Sequence, residues 1–97
     1  MAEKDPLLRG LGDAIRALRF ERGRISQERL GLETDVHRNY IGGIERAERK
    51  PTVETIVTLA LALDVAPSQL LARAEREAER HGASWPGAEP PDSSSGA

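Results

Sequence analysis

Residues Ser26 to Lys50, SQERLGLETDVHRNYIGGIERAERK, decide the fold. Ser26 followed by Gln27 and Glu28 has the form of a helix start: a side-chain oxygen that can take a free first-turn amide, then an anion where the helix dipole favours one. Leu30 points inward. Thr34-Asp35-Val36 breaks that helix, and a second one is expected from about Arg38 to Arg46 with His37 at its cap. On a cylinder turning about 100° per residue, Ile41 and Ile44 face the core. Asn39, Gly42, Gly43 and Arg46 then fall on the opposite side, flanked by Arg38 and Tyr40. The expected outer face is polar and basic at its ends and bare in its middle. Two glycines inside a helix cost roughly 1 kcal/mol each relative to alanine. Close approach of the backbone to something large is one reason to accept that cost.

Upstream, Asp5 and Pro6 suit a helix start, and Leu8, Leu11, Ile15 and Leu18 recur at helical spacing up to a stop at Gly23. Downstream, Glu48-Arg49-Lys50-Pro51 reads as an exposed basic loop, because proline disfavours helix at the residue before it. Thr52 caps a fourth helix, Val53 to Leu63, and Pro67 opens a fifth. The expectation is an all-α, five-helix domain over residues 6–81. Residues 82–97 have the Pro, Gly and Ser content of a disordered tail. In the fourth helix Val53, Ile56, Ala60 and Leu63 make one apolar face, which leaves Val57, Leu59 and Leu61 over. The fifth adds Leu70, Leu71 and Ala74. A self-association surface of Val57, Leu61, Leu70, Leu71 and Ala74 is therefore expected. That these residues simply fill an aliphatic core stays open.

Composition sets the outer limits. Ninety-seven residues suit one domain, and hydrophobic content is 38% with only Phe20, Tyr40 and Trp85 aromatic, so the core is aliphatic. There is no cysteine, hence no disulfide framework and no thiolate metal site. His37 and His81 stand in no metal-ligand spacing, and no Gly-rich phosphate cradle follows a strand. Neither an enzyme nor a cofactor, metal or small-molecule ligand is expected. AEKDP after Met1 is not a secretory signal, and Ile56 to Leu63, the longest apolar-rich run, is far too short to span a membrane. A cytoplasmic location is the expectation. The net charge of −2 is unevenly spread: residues 1–50 carry eleven Lys or Arg against nine Asp or Glu, and residues 51–97 three against seven. The basic excess lies in the half that holds the opening stretch.

These features point to double-stranded DNA. A major groove admits a helix whose N-terminal residues touch base edges. Arginine can donate a fork to guanine, and asparagine can pair bidentately with adenine. His37, Arg38, Asn39 and Tyr40 form the candidate base-reading set. Gln27, with Ser26 at the start of the preceding helix, is placed to hold a phosphate. Arg46, Arg49 and Lys50 would meet the backbone on the other side of the groove.

The same residues carry a resemblance. Arg16-x-x-Arg19, SQExL at Ser26–Leu30, YIxxIER at Tyr40–Arg46, ERxPT at Glu48–Thr52 and VxPSQLL at Val65–Leu71 resemble the Cro and phage-repressor (XRE-like) helix-turn-helix domains, over about residues 8–74. VHRNYIGGIER is similar to the controller proteins of restriction–modification systems. The resemblance implies a lambda-repressor-like five-helix fold, a phosphate contact at Gln27 and base reading at Arg38, Asn39 and Tyr40. It also implies a structural ion pair between Arg19 and Glu45. Four departures are visible: Gly31 for an alanine, Asp35 for a turn glycine, Ala47 for the glycine after IER, and one extra residue in the Gly23-Arg24-Ile25 loop. The implied function is a transcriptional regulator that binds a pseudo-palindromic operator as a homodimer and controls its own expression. An antitoxin, or another protein-interaction module of this fold, is the alternative. A neighbouring toxin gene would favour it, and a neighbouring endonuclease gene the regulator.

Overall fold

The computed structural model of the protein describes residues 4–87, five helices joined by short turns. They are α1 (Pro6–Glu21), α2 (Gln27–Thr34), α3 (Arg38–Glu45), α4 (Val53–Ala62) and α5 (Pro67–Glu79). Each start is set locally. The Asp5 carboxylate accepts the Leu7 amide at 2.7 Å, Ser26 Oγ the Arg29 amide at 2.9 Å, and Thr52 Oγ1 the Thr55 amide at 3.1 Å. Pro67 opens α5 behind Ala66, whose amide donates to Gln69 Oε1 at 2.8 Å.

The first three turns fall at departures noted in the sequence. Asp35 (φ 61°) and Ala47 (φ 61°) both sit in the left-handed region, as does Arg24 (φ 60°) in the lengthened loop after α1. Asp35 tolerates that conformation better than most residues. Ala47 does not, and a non-glycine residue there costs roughly 1–2 kcal/mol. Ala47→Gly is therefore expected to raise stability by about 1 kcal/mol, less than the full relief because glycine also gains freedom in the unfolded chain. A urea midpoint at or below wild type would contradict this.

The core is aliphatic and centred on α1. Leu11, Ala14, Ile15 and Leu18 pack with Leu30 of α2, Ile41 and Ile44 of α3, Leu59 and Ala60 of α4, Leu63, and Leu70 and Ala74 of α5. Helix α1 also touches backbone. A Cβ on Gly10 would lie 2.4 Å from the Ala74 carbonyl oxygen, and one on Gly12 would lie 2.5 Å from that of Glu45. Helix α1 thus fixes both α5 and the end of α3. Side chains reinforce this frame. His81 Nε2 lies 2.7 Å from Asp13 Oδ2, and Arg73 donates to both Glu21 oxygens at 2.7 and 3.3 Å. The Arg73 hydrogen bond holds the Glu21 carboxyl below the usual carboxylate range. Arg22 bridges to Glu33 at 3.1 Å and also donates to the Ala62 carbonyl.

The expected self-association surface needs correction. Leu70 and Ala74 are wholly buried, turned onto α1, and so are unavailable to a partner. The expected inward face of α4 holds at Ile56, Ala60 and Leu63, is widened by fully buried Leu59 and loses Val53, which is 73% exposed. Val53 lies in the first turn of α4, beyond the edge of the core. The large outward apolar residues that remain on α4 and α5 are Val53, Leu61 and Leu71, with Val57 half-buried.

Residues 82–87, read from sequence as tail, lie against the end of α5. The Ala83 amide donates to the Ala78 carbonyl at 3.1 Å, and half-buried Trp85 brings its indole N–H to 3.5 Å from the Glu75 carbonyl oxygen. Residues 88–97 of the expected tail lie outside the described residues. Among the described residues, no single helix is long and apolar enough to cross a membrane.

Candidate nucleic-acid interface

The candidate reading turn opens α3. His37 caps it: its Nδ1 accepts the Asn39 amide at 3.0 Å, which leaves Nε2 as the outward-facing ring nitrogen. Arg38 and Asn39 follow, both exposed. Arg38 Nη1 lies 3.6 Å from Glu28 Oε1, with both side chains largely in solvent. Such a pair contributes little and leaves the guanidinium available.

Tyr40 is placed differently from its neighbours. It is half-buried, its hydroxyl donates to the Lys50 carbonyl at 3.2 Å, and the Arg49 guanidinium carbon lies 5.6 Å from its ring centre. Tyr40 thereby ties the Arg49–Lys50 loop to α3. One side chain thus links the basic loop to the first turn of α3.

The middle of the outer face is not bare, contrary to expectation. Gly42 and Gly43 are buried. A Cβ on Gly42 would meet Arg46 Nη1 at 3.0 Å and Gln27 Oε1 at 3.2 Å, and one on Gly43 would meet Arg49 Cγ at 2.5 Å. Helix angles alone place the glycines outward correctly. They cannot show that side chains from α2 and from the loop after α3 fold across them. The glycines let Gln27, Arg46 and Arg49 lie flat over the helix, so these three form the surface at that point.

Beneath this surface sits Glu45, 4% exposed at the end of α3. Arg19 donates to both of its oxygens, from Nε at 2.6 Å and from Nη2 at 2.8 Å, and its Nη1 donates to the Ile25 carbonyl at 2.8 Å. Every donor nitrogen of Arg19 is thus engaged inside the domain. Gln27 Nε2 donates to Glu45 Oε1 at 3.0 Å, and Arg16 Nε lies 3.5 Å from that same oxygen. Arg46 pairs with Glu48 at 3.0 Å on the exposed edge.

Two basic residues near the site were given no role there by sequence reasoning. Arg16 lies one turn before Arg19 on the same side of α1, and the Arg16-x-x-Arg19 spacing was the signal that could have found it. Lys4 donates from Nζ to the Arg46 carbonyl at 2.6 Å, a contact across 42 positions with no local signal.

Comparison with known proteins agrees with this fold. The helix-turn-helix family model matches residues 15–70. Control protein C.BamHI of Bacillus amyloliquefaciens is 40% identical over 60 residues, which cover 62% of this chain and 74% of that protein. The crystal structure of the restriction-modification controller protein C.AhdI from Aeromonas hydrophila superposes with a TM-score of 0.62 at 40% identity, covering 65% of this chain and 94% of that one. A third relative, the restriction-modification controller protein C.Esp1396I, was solved as a tetramer in complex with its natural 35 base-pair operator. It superposes with a TM-score of 0.67 at 29% identity, covering 75% of this chain and 95% of that one.

Proposed function

Because the chain belongs to the helix-turn-helix family, in the group of restriction–modification control proteins, we propose that it is a sequence-specific transcriptional regulator that binds double-stranded DNA as a homodimer. The observation that carries this reading is the first turn of α3. It presents Arg38 and Asn39 outward, while Gln27, Arg46 and Arg49 lie across Gly42 and Gly43 behind it. In the groove, Arg38 and Asn39 read base edges, and His37 Nε2 adds a contact at the rim. Ser26, Gln27, Arg46, Arg49 and Lys50 hold phosphates and set the register. Tyr40 keeps the loop that carries Arg49 and Lys50 in place. The protein acts in the cytoplasm, as a binder and not an enzyme, and its domain spans residues 6–81.

The two-fold partner packs on Val53, Val57, Leu61 and Leu71, which places two α3 helices about one turn of DNA (~34 Å) apart on a pseudo-palindrome. Occupancy then follows protein concentration through dimerisation, which suits a protein that regulates its own gene. Leu61→Asp is expected to give a monomer at micromolar concentration with an unchanged circular dichroism spectrum. Sedimentation velocity checks this, and a dimer that persists would move the interface elsewhere. Lys50→Ala is expected to weaken binding to all sequences alike and to flatten the salt dependence by about one unit. An unchanged salt slope would remove Lys50 from the phosphate contacts.

The regulatory reading is tested with a reporter gene placed behind a promoter that carries the bound site. Expression of the protein changes reporter output in step with its concentration. Output that ignores the protein, despite tight binding of the site in vitro, would reject transcriptional control.

A further inference from the structure

Histidine is an uncommon cap. Serine, threonine, aspartate and asparagine are the strongly preferred residues at a helix start. Asp5, Ser26 and Thr52 follow that preference at α1, α2 and α4. At α3 a ring nitrogen does the capping: His37 Nδ1 accepts the Asn39 amide at 3.0 Å. That contact fixes where the imidazole keeps its proton. A neutral imidazole has one donor and one acceptor nitrogen. Nδ1 faces an N–H and is therefore the acceptor, so the proton sits on Nε2. The two nitrogens lie on opposite edges of the ring. With Nδ1 turned onto the first turn of α3, Nε2–H points away from the helix. The side chain is exposed, and among the described residues the cap is the ring's one hydrogen bond. Glu28, Asp35 and Arg38 line the same surface cleft as the ring. Glu28 lies 3.6 Å from Arg38, and neither carboxylate takes the Nε2 proton.

We propose that His37 is a single-donor base reader: its capping bond holds the Nε2–H tautomer, and that N–H selects guanine in the major groove. The inference rests on the DNA-binding reading above and names the proton and the base at one of its contacts. In the major groove guanine shows two acceptors, N7 and O6. Adenine and thymine show one each, and cytosine shows only a donor. A single N–H of fixed direction therefore favours guanine and rejects cytosine. Arg38 and Asn39 can each make two bonds to one base, whereas His37 makes one, so its discrimination is the smaller. The histidine does what two common caps cannot. Aspartate would hold the Asn39 amide equally well but turn only an acceptor outward. Serine would spend its one short hydroxyl on the cap.

The test compares the full chain with His37→Asp and His37→Ala. Bound sequences are selected from a random duplex library at one fixed salt concentration, and the four bases are then compared at each position by competition binding. The wild-type half-site is expected to carry one guanine beyond the bases read by Arg38 and Asn39, with cytosine the worst base there. Replacing that guanine with cytosine is expected to weaken binding about three- to tenfold, the worth of one hydrogen bond. His37→Asp should lose that preference alone and keep a thermal midpoint at or above wild type, because aspartate caps the helix and suits its dipole. His37→Ala should lose the preference and also lower the midpoint. Long-range nitrogen–proton correlation spectra of the free protein at about pH 8, where an ordinary imidazole is neutral, should show His37 protonated at Nε2 and bare at Nδ1. The opposite tautomer would overturn the inference. So would a half-site without such a guanine, or a guanine preference that survives in His37→Asp. If the unaltered protein enriches no sequence, the DNA-binding reading fails first, and the base contact falls with it even where the tautomer is confirmed.

Discussion

Replacing Arg19 with methionine lowers the free energy of unfolding by about 3–5 kcal/mol. Glu45 is then left as a buried carboxylate that has lost hydrogen bonds of 2.6 and 2.8 Å. Arg16 offers little relief, because its guanidinium is half in solvent and its Nε stands 3.5 Å away. Glu45→Leu has a comparable cost from the other side, stranding a guanidinium that is 8% exposed with only the Ile25 carbonyl to accept from it. Against a total stability of roughly 5–15 kcal/mol for a domain of this kind, either change is a large fraction. The double replacement Arg19→Met, Glu45→Leu costs clearly less than the two single losses together, because no unpaired charge remains. Guanidinium unfolding followed by circular dichroism measures all three. A single-variant loss under about 1 kcal/mol, the value of an exposed pair, would contradict a structural role for this contact.

Replacing both Arg38 and Asn39 with alanine removes sequence preference. Each good bidentate base contact discriminates by about 1–3 kcal/mol, so losing two costs roughly 2–6 kcal/mol of specific binding. That is enough to bring the selected site close to the affinity of random DNA. The protein itself stays folded with an unchanged unfolding midpoint, since both side chains are exposed and the Arg38–Glu28 contact is a solvent-screened 3.6 Å. Affinity for random DNA falls only modestly, through the one lost charge. Competition binding between selected and scrambled duplexes reads the ratio directly. A double variant that keeps its preference for the selected site would move base reading off the first turn of α3.

Much of this arrangement was legible in the chain because the signals are local. The caps at Asp5, Ser26, His37 and Thr52 each depend on amides two or three residues away, so the helix starts could be read from neighbouring letters. The left-handed turn at Asp35 follows from residue type in the same way. What escaped depends on distant partners. Helical spacing gives the relative angles of apolar residues but not how wide a stripe the core covers, so the burial of Leu59 beside Ala60 and Leu63 was not visible. Nor was the burial of Leu70 and Ala74, which α1 imposes through close backbone contact at Gly10. Gly42 and Gly43 looked bare because the side chains that cross them start on α2 and beyond the end of α3. The tie that Tyr40 makes to the basic loop was hidden as well, because its hydroxyl donates to a carbonyl ten positions on. For Trp85, docking back on the domain was one of two open readings, and the sequence did not show that its indole would return to Glu75.

The central claim is that two copies of this chain read DNA through paired α3 helices. Selection of bound duplexes from a random library at one fixed salt concentration tests it most directly. The expected result is an inverted repeat, each half carrying a guanine and an adenine at fixed positions, with half-site centres about one helical turn (~10 base pairs) apart. A library that returns without enrichment, or a lone half-site with no partner at fixed spacing, would contradict it.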